Sequence, residues 1–146
     1  EGPLLPNLEK QIKKERIEDV VEIIGWVDHQ KVIEILINSD IYISSSLKEG
    51  MSVAVLEAMA CGTLVVATDV MGNNEVVIND VNGLLFPAQD PLALANVIQK
   101  LIENQKLQSI FHENIKKHIG NYSWQCITKE HLTLYEKIVS QDTHKY

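Results

Sequence analysis

Residues 63–70 read TLVVATDV, and this segment decides the fold class. Most of its residues are apolar, so a strand formed here would bury both of its faces. Strands buried on both faces are typical of the centre of a parallel sheet that has helices on each side. We therefore predict a central parallel strand over this segment.

On either side of residues 63–70, segments with strand and helix character alternate. Apolar residues recur at helical spacing in residues 7–17 and 28–39, Asp28 is a candidate cap for the second of these helices, and Pro91 follows Asp90 in the first turn of a later helix. The predicted helices cover about residues 7–17, 28–39, 91–104, 105–118 and 123–139, with another from near Ser52 to Gly62 and a short one within 71–83. The predicted strands are VVEIIGWV at 20–27, DIYISSS at 40–46, and LLF at 84–86.

This alternation predicts the α/β class with a Rossmann-like, doubly wound parallel sheet. We expect one domain over residues 1–139 and a frayed tail at 140–146. The sheet would contain about four strands, fewer than is usual for an open sheet with helices on both faces. We therefore expect the first strands of the domain to lie outside this sequence.

The composition argues against several classes of partner. The chain has 13 basic and 20 acidic residues, a net charge of −7, and Arg16 is its one arginine. A basic surface for nucleic acid is not expected from such a balance. The histidines and cysteines show no ligand spacing, so we expect no metal site, no cofactor and reduced thiols in a cytoplasmic protein.

The loop before the predicted helix at Ser52 has the features of a ligand site. It reads SSSLKEGMS, and in open α/β sheets ligands bind where such a loop leads from a strand end into a helix. Gly50 allows the backbone to approach a ligand closely, and the N–H groups of the first helical turn are unpaired. We expect this loop to contact an anion or another polar group.

Glu49 and Glu57 lie eight residues apart, the first in this loop and the second two turns along the helix. Both can face one crevice, where Glu57 would suit neutral hydroxyl groups and Glu49 would suit sugar hydroxyls or a developing positive charge. The alternatives are a solvated loop acid at Glu49 and a water-facing edge of the helix at Glu57. Spacing alone does not decide between these interpretations.

The sequence resembles the donor-binding C-terminal domain of retaining GT-B glycosyltransferases, the large group 1 family (family 4). The resemblance covers about residues 1–139 and rests on EGP, on the E-x7-E pattern followed by AMACGTLVVATDV and GNNEVV, and on NGLLF, DPLALANVI and YSW. It implies transfer of a hexose-type sugar from a UDP- or GDP-linked donor to a glycan or lipid-linked acceptor, in polysaccharide or glycolipid synthesis.

The resemblance also implies roles for individual residues. Glu49 would be the catalytic residue, contacting the donor sugar and stabilising charge near its anomeric carbon, and Glu57 would bind the ribose hydroxyls. The loop GWVD, with Val27, would lie beside the nucleobase. The remaining donor-binding residues would be Gly50, Met51, Ser52 and Val53. The commonest form of the family has Glu-Gly-Phe-Gly where this chain has Met51 and Ser52, so the sugar preference stays open.

The resemblance implies partners outside this sequence. The basic pair that clamps the donor diphosphate precedes EGP in the family, and an acceptor-binding N-terminal domain precedes that pair. We expect the complete enzyme to be cytoplasmic, with peripheral association at the membrane as an alternative, and these 146 residues alone to be inactive. The rival interpretations are a non-catalytic Rossmann-like binding module and a GT-B sugar-nucleotide epimerase.

Overall fold

A computed structural model describes residues 2–142, with the backbone alone for 141 and 142. The chain divides into two compact units, Glu1–Glu34 and Ile35–Tyr146, which we describe separately. The described helices are α1 (Leu5–Glu15), α2 (His29–Ile37), α3 (Val53–Ala60), α4 (Pro91–Ile102), α5 (Gln105–His118) and α6 (Trp124–Asp142), with a short 3-10 helix at Ile119–Tyr122. The described strands are β1 (Ile41–Ser44), β2 (Leu64–Thr68) and β3 (Leu84–Phe86).

The first unit contains α1 and the start of α2. Arg16 ends α1 in the left-handed conformation, with φ of 55°, and its N–H bonds to carbonyls of the last turn. At the start of α2, the Asp28 carboxylate accepts a hydrogen bond of 2.8 Å from the Lys31 N–H, so the predicted cap is confirmed.

The strand predicted over residues 20–27 is wrong, because this segment has no regular secondary structure. Its apolar side chains include Val20 and Trp26, which are 80% and 82% exposed. A strand requires backbone hydrogen bonds to a neighbour. The sheet of the described residues joins β1, β2 and β3 and does not include this segment.

The second unit is built on a parallel sheet in the order β1-β2-β3. All five residues of the central strand, β2, are buried, as TLVVATDV predicts. Alternate side chains of β2 and β3 point to one face and join the helices in a single core cluster. The cluster contains Leu64, Val66, Leu84, Phe86, Leu101 and Phe111.

The opposite face of β2 is also buried, since Val65 and Ala67 are inaccessible to solvent. Helix α3 contacts both β1 and β2, and Val55, Ala58 and Met59 are its buried residues. The parallel sheet and its helices therefore confirm the predicted α/β, Rossmann-like class.

The short helix predicted within residues 71–83 is wrong, because this segment is a series of turns. Asn82 accepts a hydrogen bond of 2.7 Å from the Ile78 N–H and donates one of 3.0 Å to the Val76 carbonyl. Asn79 accepts one of 2.8 Å from the Leu85 N–H. Asparagine side chains that bond to nearby backbone groups compete with helix formation.

The remaining helices and strands lie close to their predicted positions. Helix α6 reaches Asp142, three residues into the segment 140–146 that we expected to be frayed. Residues 143–146 lie outside the described part of the chain.

Candidate functional site

The loop between β1 and α3 lies at the carboxyl edge of the sheet. β1 ends at Ser44 and α3 begins at Val53. Ser44 is paired in register with Ala67, and β2 ends one residue later, at Thr68. The carboxyl ends of parallel strands form the edge where ligands bind in open α/β sheets. The loop therefore lies where the sequence predicts a ligand site.

The Glu49 carboxylate is fixed within this loop. Glu49 is half-buried, and its Oε1 accepts a hydrogen bond of 2.7 Å from the Ser46 hydroxyl. The Ser46 carbonyl accepts a hydrogen bond of 2.6 Å from the Thr68 hydroxyl. These contacts tie Glu49 to the end of β2, an arrangement that differs from that of a freely solvated loop acid.

Glu57 lies on α3 and is half-buried, so it is less exposed than a residue on a water-facing edge of the helix. Its negative charge acts on Tyr42, which β1 contributes to the same region. Burial raises the pKa of the Tyr42 phenol, and the Glu49 and Glu57 carboxylates raise it further. Both predicted carboxylates therefore lie close enough to Tyr42 for their charges to raise the pKa of its phenol.

Tyr42 was not among the site residues predicted from the sequence. The feature that could have indicated it is a phenolic hydroxyl within DIYISSS, a short predicted strand that leads into the predicted ligand loop. A buried tyrosine hydroxyl usually has a polar partner, so this position indicated a polar region on one face of β1.

The first turn of α3 lacks a side-chain cap. Ser52 occupies the N-cap position and is buried, but its hydroxyl makes no capping hydrogen bond. By contrast, Asp90 and Asn104 each accept a hydrogen bond of 2.9 Å from the first turn of α4 and α5. The first turn of α3 thus lacks the side-chain acceptor that α4 and α5 have, as expected of a helix start that meets an anion.

The loop residues before α3 differ in exposure. Gly50 is exposed, and Met51 and Val53 are 51% and 58% exposed. Their backbone and side chains can therefore contact a bound molecule. Whether they do so stays a prediction.

Gly72, in the turn after β2, lies against the loop that carries Glu49 and Gly50. It has φ of 89°, and a Cβ placed on it would lie 2.5 Å from the Gly50 carbonyl oxygen and 2.9 Å from the Glu49 Cβ. Glycine alone allows this close approach without strain. The turn after β2 therefore packs directly against the backbone of the ligand loop.

Two cavities lie at opposite edges of the sheet. One of about 290 Å³ lies at the carboxyl edge, where Ser45, Thr68 and Phe86 line it near the three strand ends. A larger one of about 710 Å³ lies at the amino edge, beside Asp40 and Leu64. The loop that carries Glu49 borders the smaller cavity, because Leu47 of this loop lines it together with Thr68 of β2. The larger cavity is therefore not the one beside the predicted ligand loop.

Val27, the predicted nucleobase contact, belongs to the first unit and is half-buried there. Its role stays a prediction. Across residues 2–142, no group of three or more His, Cys, Asp or Glu side chains is placed to hold a metal ion. In the same part of the chain, no helix is both long and apolar enough to cross a membrane.

Comparisons with known proteins agree with this geometry. The chain is 42% identical over 118 residues to an uncharacterized glycosyltransferase of Methanocaldococcus jannaschii, covering 80% of this chain and 30% of that protein. It is 31% identical to the gpi3 subunit of the Schizosaccharomyces pombe phosphatidylinositol N-acetylglucosaminyltransferase, covering 97% and 31%. Its fold matches Anabaena HepE solved in complex with UDP, with a TM-score of 0.79 and 25% identity over 93% of this chain and 36% of that one.

The parallel α/β sheet, with a polar loop and helix start at its carboxyl edge, defines a Rossmann-like domain of the GT-B type. Residues 1–118 match the family described as glycosyl transferases group 1, and the chain belongs to that family. The resemblance noted in the sequence is thereby confirmed. The chain spans about a third of the length of the relatives it matches.

Proposed function

We propose that this chain is the donor-binding domain of a retaining glycosyltransferase. The enzyme would transfer a hexose-type sugar from a UDP- or GDP-linked donor to a glycan or lipid-linked acceptor. Family membership supports the class of reaction. The yeast relative, which belongs to a phosphatidylinositol N-acetylglucosaminyltransferase, supports a lipid acceptor, and the UDP complex of HepE favours UDP.

One observation carries the proposal: two half-buried carboxylates, Glu49 in the loop and Glu57 on α3, precede and follow the uncapped N-terminus of α3. A nucleotide sugar has hydroxyl groups at both ends and a diphosphate between them. Carboxylates bind hydroxyls strongly, and a helix N-terminus binds phosphate. The two carboxylates thus suit the hydroxyl groups at the two ends of such a donor, and the start of α3 suits its diphosphate.

The roles follow from this matching. Glu57 accepts hydrogen bonds from the ribose hydroxyls, and the N–H groups of Gly50, Met51 and Ser52 meet the sugar and the diphosphate. Glu49 binds sugar hydroxyls and stabilises the positive charge that develops at the anomeric carbon. The helix start stabilises the leaving diphosphate, and the acceptor attacks from the same face without an enzymic nucleophile.

The proposal includes parts beyond these residues. An N-terminal domain binds the acceptor, a basic pair clamps the diphosphate, and neither a metal nor another cofactor takes part. The complete enzyme acts in polysaccharide or glycolipid synthesis on the cytoplasmic side of the membrane. Val27 contacts the nucleobase from the segment before α2.

Calorimetric titration of the complete enzyme tests the proposal. We expect UDP or GDP to bind, and Glu57→Ala to weaken this binding roughly 10- to 100-fold, as loss of a charged hydrogen bond does. The same variant should bind the 2′,3′-dideoxy nucleotide as the unchanged enzyme does, since the hydroxyls that Glu57 holds are missing from that ligand.

Glu113→Gln is the matched control, because Glu113 is an exposed carboxylate on α5. It should leave both affinities unchanged. If neither UDP nor GDP binds to the complete enzyme at millimolar concentration, the proposal is wrong. If both bind but Glu57→Ala weakens the normal and the dideoxy nucleotide equally, the ribose role of Glu57 is wrong.

A further inference from the structure

A chain of side-chain hydrogen bonds runs from the turn after β2 to Glu49. The Asn73 amide Nδ2 donates to the Thr68 Oγ1 over 3.0 Å, and the Thr68 hydroxyl donates to the Ser46 carbonyl over 2.6 Å. The Ser46 hydroxyl then donates to the Glu49 Oε1 over 2.7 Å. Four residues from two segments of the chain, 46–49 and 68–73, thus connect a buried amide to the candidate catalytic carboxylate.

The first contact fixes the direction of the second. A threonine hydroxyl has one proton to donate and lone pairs that accept. Because Asn73 donates to the oxygen of Thr68, the Thr68 proton is free to point at the Ser46 carbonyl. Asn73 also donates to the Thr68 carbonyl over 3.1 Å, which fixes the amide itself. Asn73 therefore orients the Thr68 hydroxyl, and that hydroxyl holds the backbone of Ser46, whose side chain bonds to Glu49.

Burial of the Asn73 side chain costs free energy, and its packing does not explain why an amide occupies this position. Its side chain is fully buried, and its Oδ1 has no hydrogen-bond partner among the described residues. A buried acceptor without a partner destabilises the fold. An apolar side chain would avoid this cost but would leave the Thr68 hydroxyl without its donor. The amide is thus better suited to orienting Thr68 than to filling space.

We propose that Thr68 is a positioning residue, which holds Glu49 in place for the donor sugar through Ser46, with Asn73 orienting the Thr68 hydroxyl. Glutamate has several rotatable bonds, and a displacement of about 1 Å at a catalytic group can cost 100-fold in rate. The hydrogen-bonded chain limits such displacement. This inference rests on the proposed function, because it takes Glu49 to act on the sugar.

Replacing Thr68 in the complete enzyme tests the inference. Thr68→Val keeps the shape and removes the hydroxyl, whereas Thr68→Ser keeps the hydroxyl. Thr63→Val is a matched control, because the buried Thr63 hydroxyl donates to the Leu36 carbonyl over 2.7 Å at the opposite end of β2. Both valine variants lose one hydroxyl-to-carbonyl hydrogen bond near an end of the same strand, and Thr68→Val also loses the bond from Asn73.

We expect Thr68→Val to lower kcat by roughly 10- to 100-fold while the Kd for UDP changes by less than about twofold. Thr68→Ser should restore most of kcat, and Thr63→Val should leave it unchanged. The melting temperature should fall more for Thr68→Val than for Thr63→Val, because Thr68→Val also leaves the buried Asn73 amide without one of its acceptors. Should Thr68→Val fail to fold, Ser46→Ala carries the same expectation, since it removes the contact with Glu49.

Equal kcat values for Thr68→Val and Thr63→Val would overturn the inference, as would failure of Thr68→Ser to restore kcat. Glu49→Gln distinguishes failure of the positioning role of Thr68 from failure of the proposed function. If Glu49→Gln abolishes transfer but Thr68→Val does not lower kcat, only the positioning role is wrong. If Glu49→Gln leaves transfer intact, the catalytic role proposed for Glu49 is wrong and the positioning role fails with it.

Discussion

Gly72 lies against the carbonyl of Gly50, so close that a Cβ on Gly72 would lie 2.5 Å from that oxygen. The contact joins the turn after β2 to the loop that carries Glu49. The neighbouring atoms are the carbonyl group of Gly50 and the Glu49 Cβ, which is attached directly to the backbone, so they cannot rotate away as the end of a flexible side chain could. The position of the loop thus depends on the absence of a side chain at residue 72.

Gly72→Ala should destabilise the protein and lower the transfer activity that we propose for the complete enzyme. The substitution adds a clash with Gly50 to the strain of a positive φ of 89°. Gly62 has a similar φ of 83° but open space around its Cβ, so Gly62→Ala isolates the strain. We expect about 1–2 kcal/mol of destabilisation for Gly62→Ala and roughly 1–3 kcal/mol more for Gly72→Ala.

Urea unfolding of both variants measures this difference. Transfer assays at a temperature where both are folded measure the effect on the loop, and we expect Gly72→Ala alone to lose activity. Equal unfolding free energies for the two variants would contradict the close contact described here.

The stability of the protein should depend on pH through the ionisation of the Tyr42 phenol. Burial, followed by the charges of Glu49 and Glu57, raises the pKa of its phenol. The unfolded chain has a tyrosine pKa of about 10, so the folded state retains the proton to higher pH. The contribution of Tyr42 to stability is complete below the unfolded pKa of about 10, and it is lost as the pH rises from there toward the higher pKa of the folded state.

Urea unfolding at pH of about 8 and about 10.5 should therefore show a larger loss of stability for the unchanged protein than for Tyr42→Phe. Tyr135→Phe is the control, because Tyr135 is 58% exposed on α6. It should show the same loss as the unchanged protein. An equal loss for Tyr42→Phe and the unchanged protein would contradict the prediction.

Removing a carboxylate should also change the titration of Tyr42. In Glu57→Gln, we expect a pKa for Tyr42 below that of the unchanged protein but still above about 10, because burial remains the larger cause. Tyrosinate absorbance, with Tyr42→Phe subtracted, measures this value. No change on removing Glu57 would show that the two side chains do not interact.

Asn82 should stabilise the turn that replaces the predicted helix. It is 3% exposed and bonds to the backbone of Ile78 and Val76. Asn82→Ala leaves the buried Val76 carbonyl without this partner, which costs roughly 1–3 kcal/mol, and removes the acceptor of the part-buried Ile78 N–H. Thermal unfolding measures the loss, with the exposed Asn121→Ala as control. A change as small as that of the control would show that the turn forms without this side chain.

The sequence predicted the segments that local patterns determine. TLVVATDV indicated the central strand because apolar residues on both faces require burial on both faces, and Asp28 and Asp90 marked helix starts through their capping bonds. The carboxylates Glu49 and Glu57 were found because a charge is unusual in an apolar helix and at a strand end. The structure brings both to Tyr42.

Features that depend on distant partners were not predictable. The apolar pattern of residues 20–27 indicated a strand, but a strand also needs a neighbour, and pattern alone does not supply one. Tyr42 and Thr68 owe their places in the site to residues that are remote in sequence, such as Ser46 for Thr68. The turn at residues 71–83 depends on asparagine side chains whose bonds compete with those of a helix.

Strand β2 is anchored at both ends by threonine hydroxyls, Thr63 to the Leu36 carbonyl and Thr68 to the Ser46 carbonyl. Amide protons in such a strand exchange with solvent only when the unit opens as a whole. Because the Thr68 hydroxyl holds the Ser46 carbonyl, every opening of this strand also releases the loop that carries Glu49. A destabilising mutation deep in β2 will therefore raise the fraction of molecules in which the loop is released.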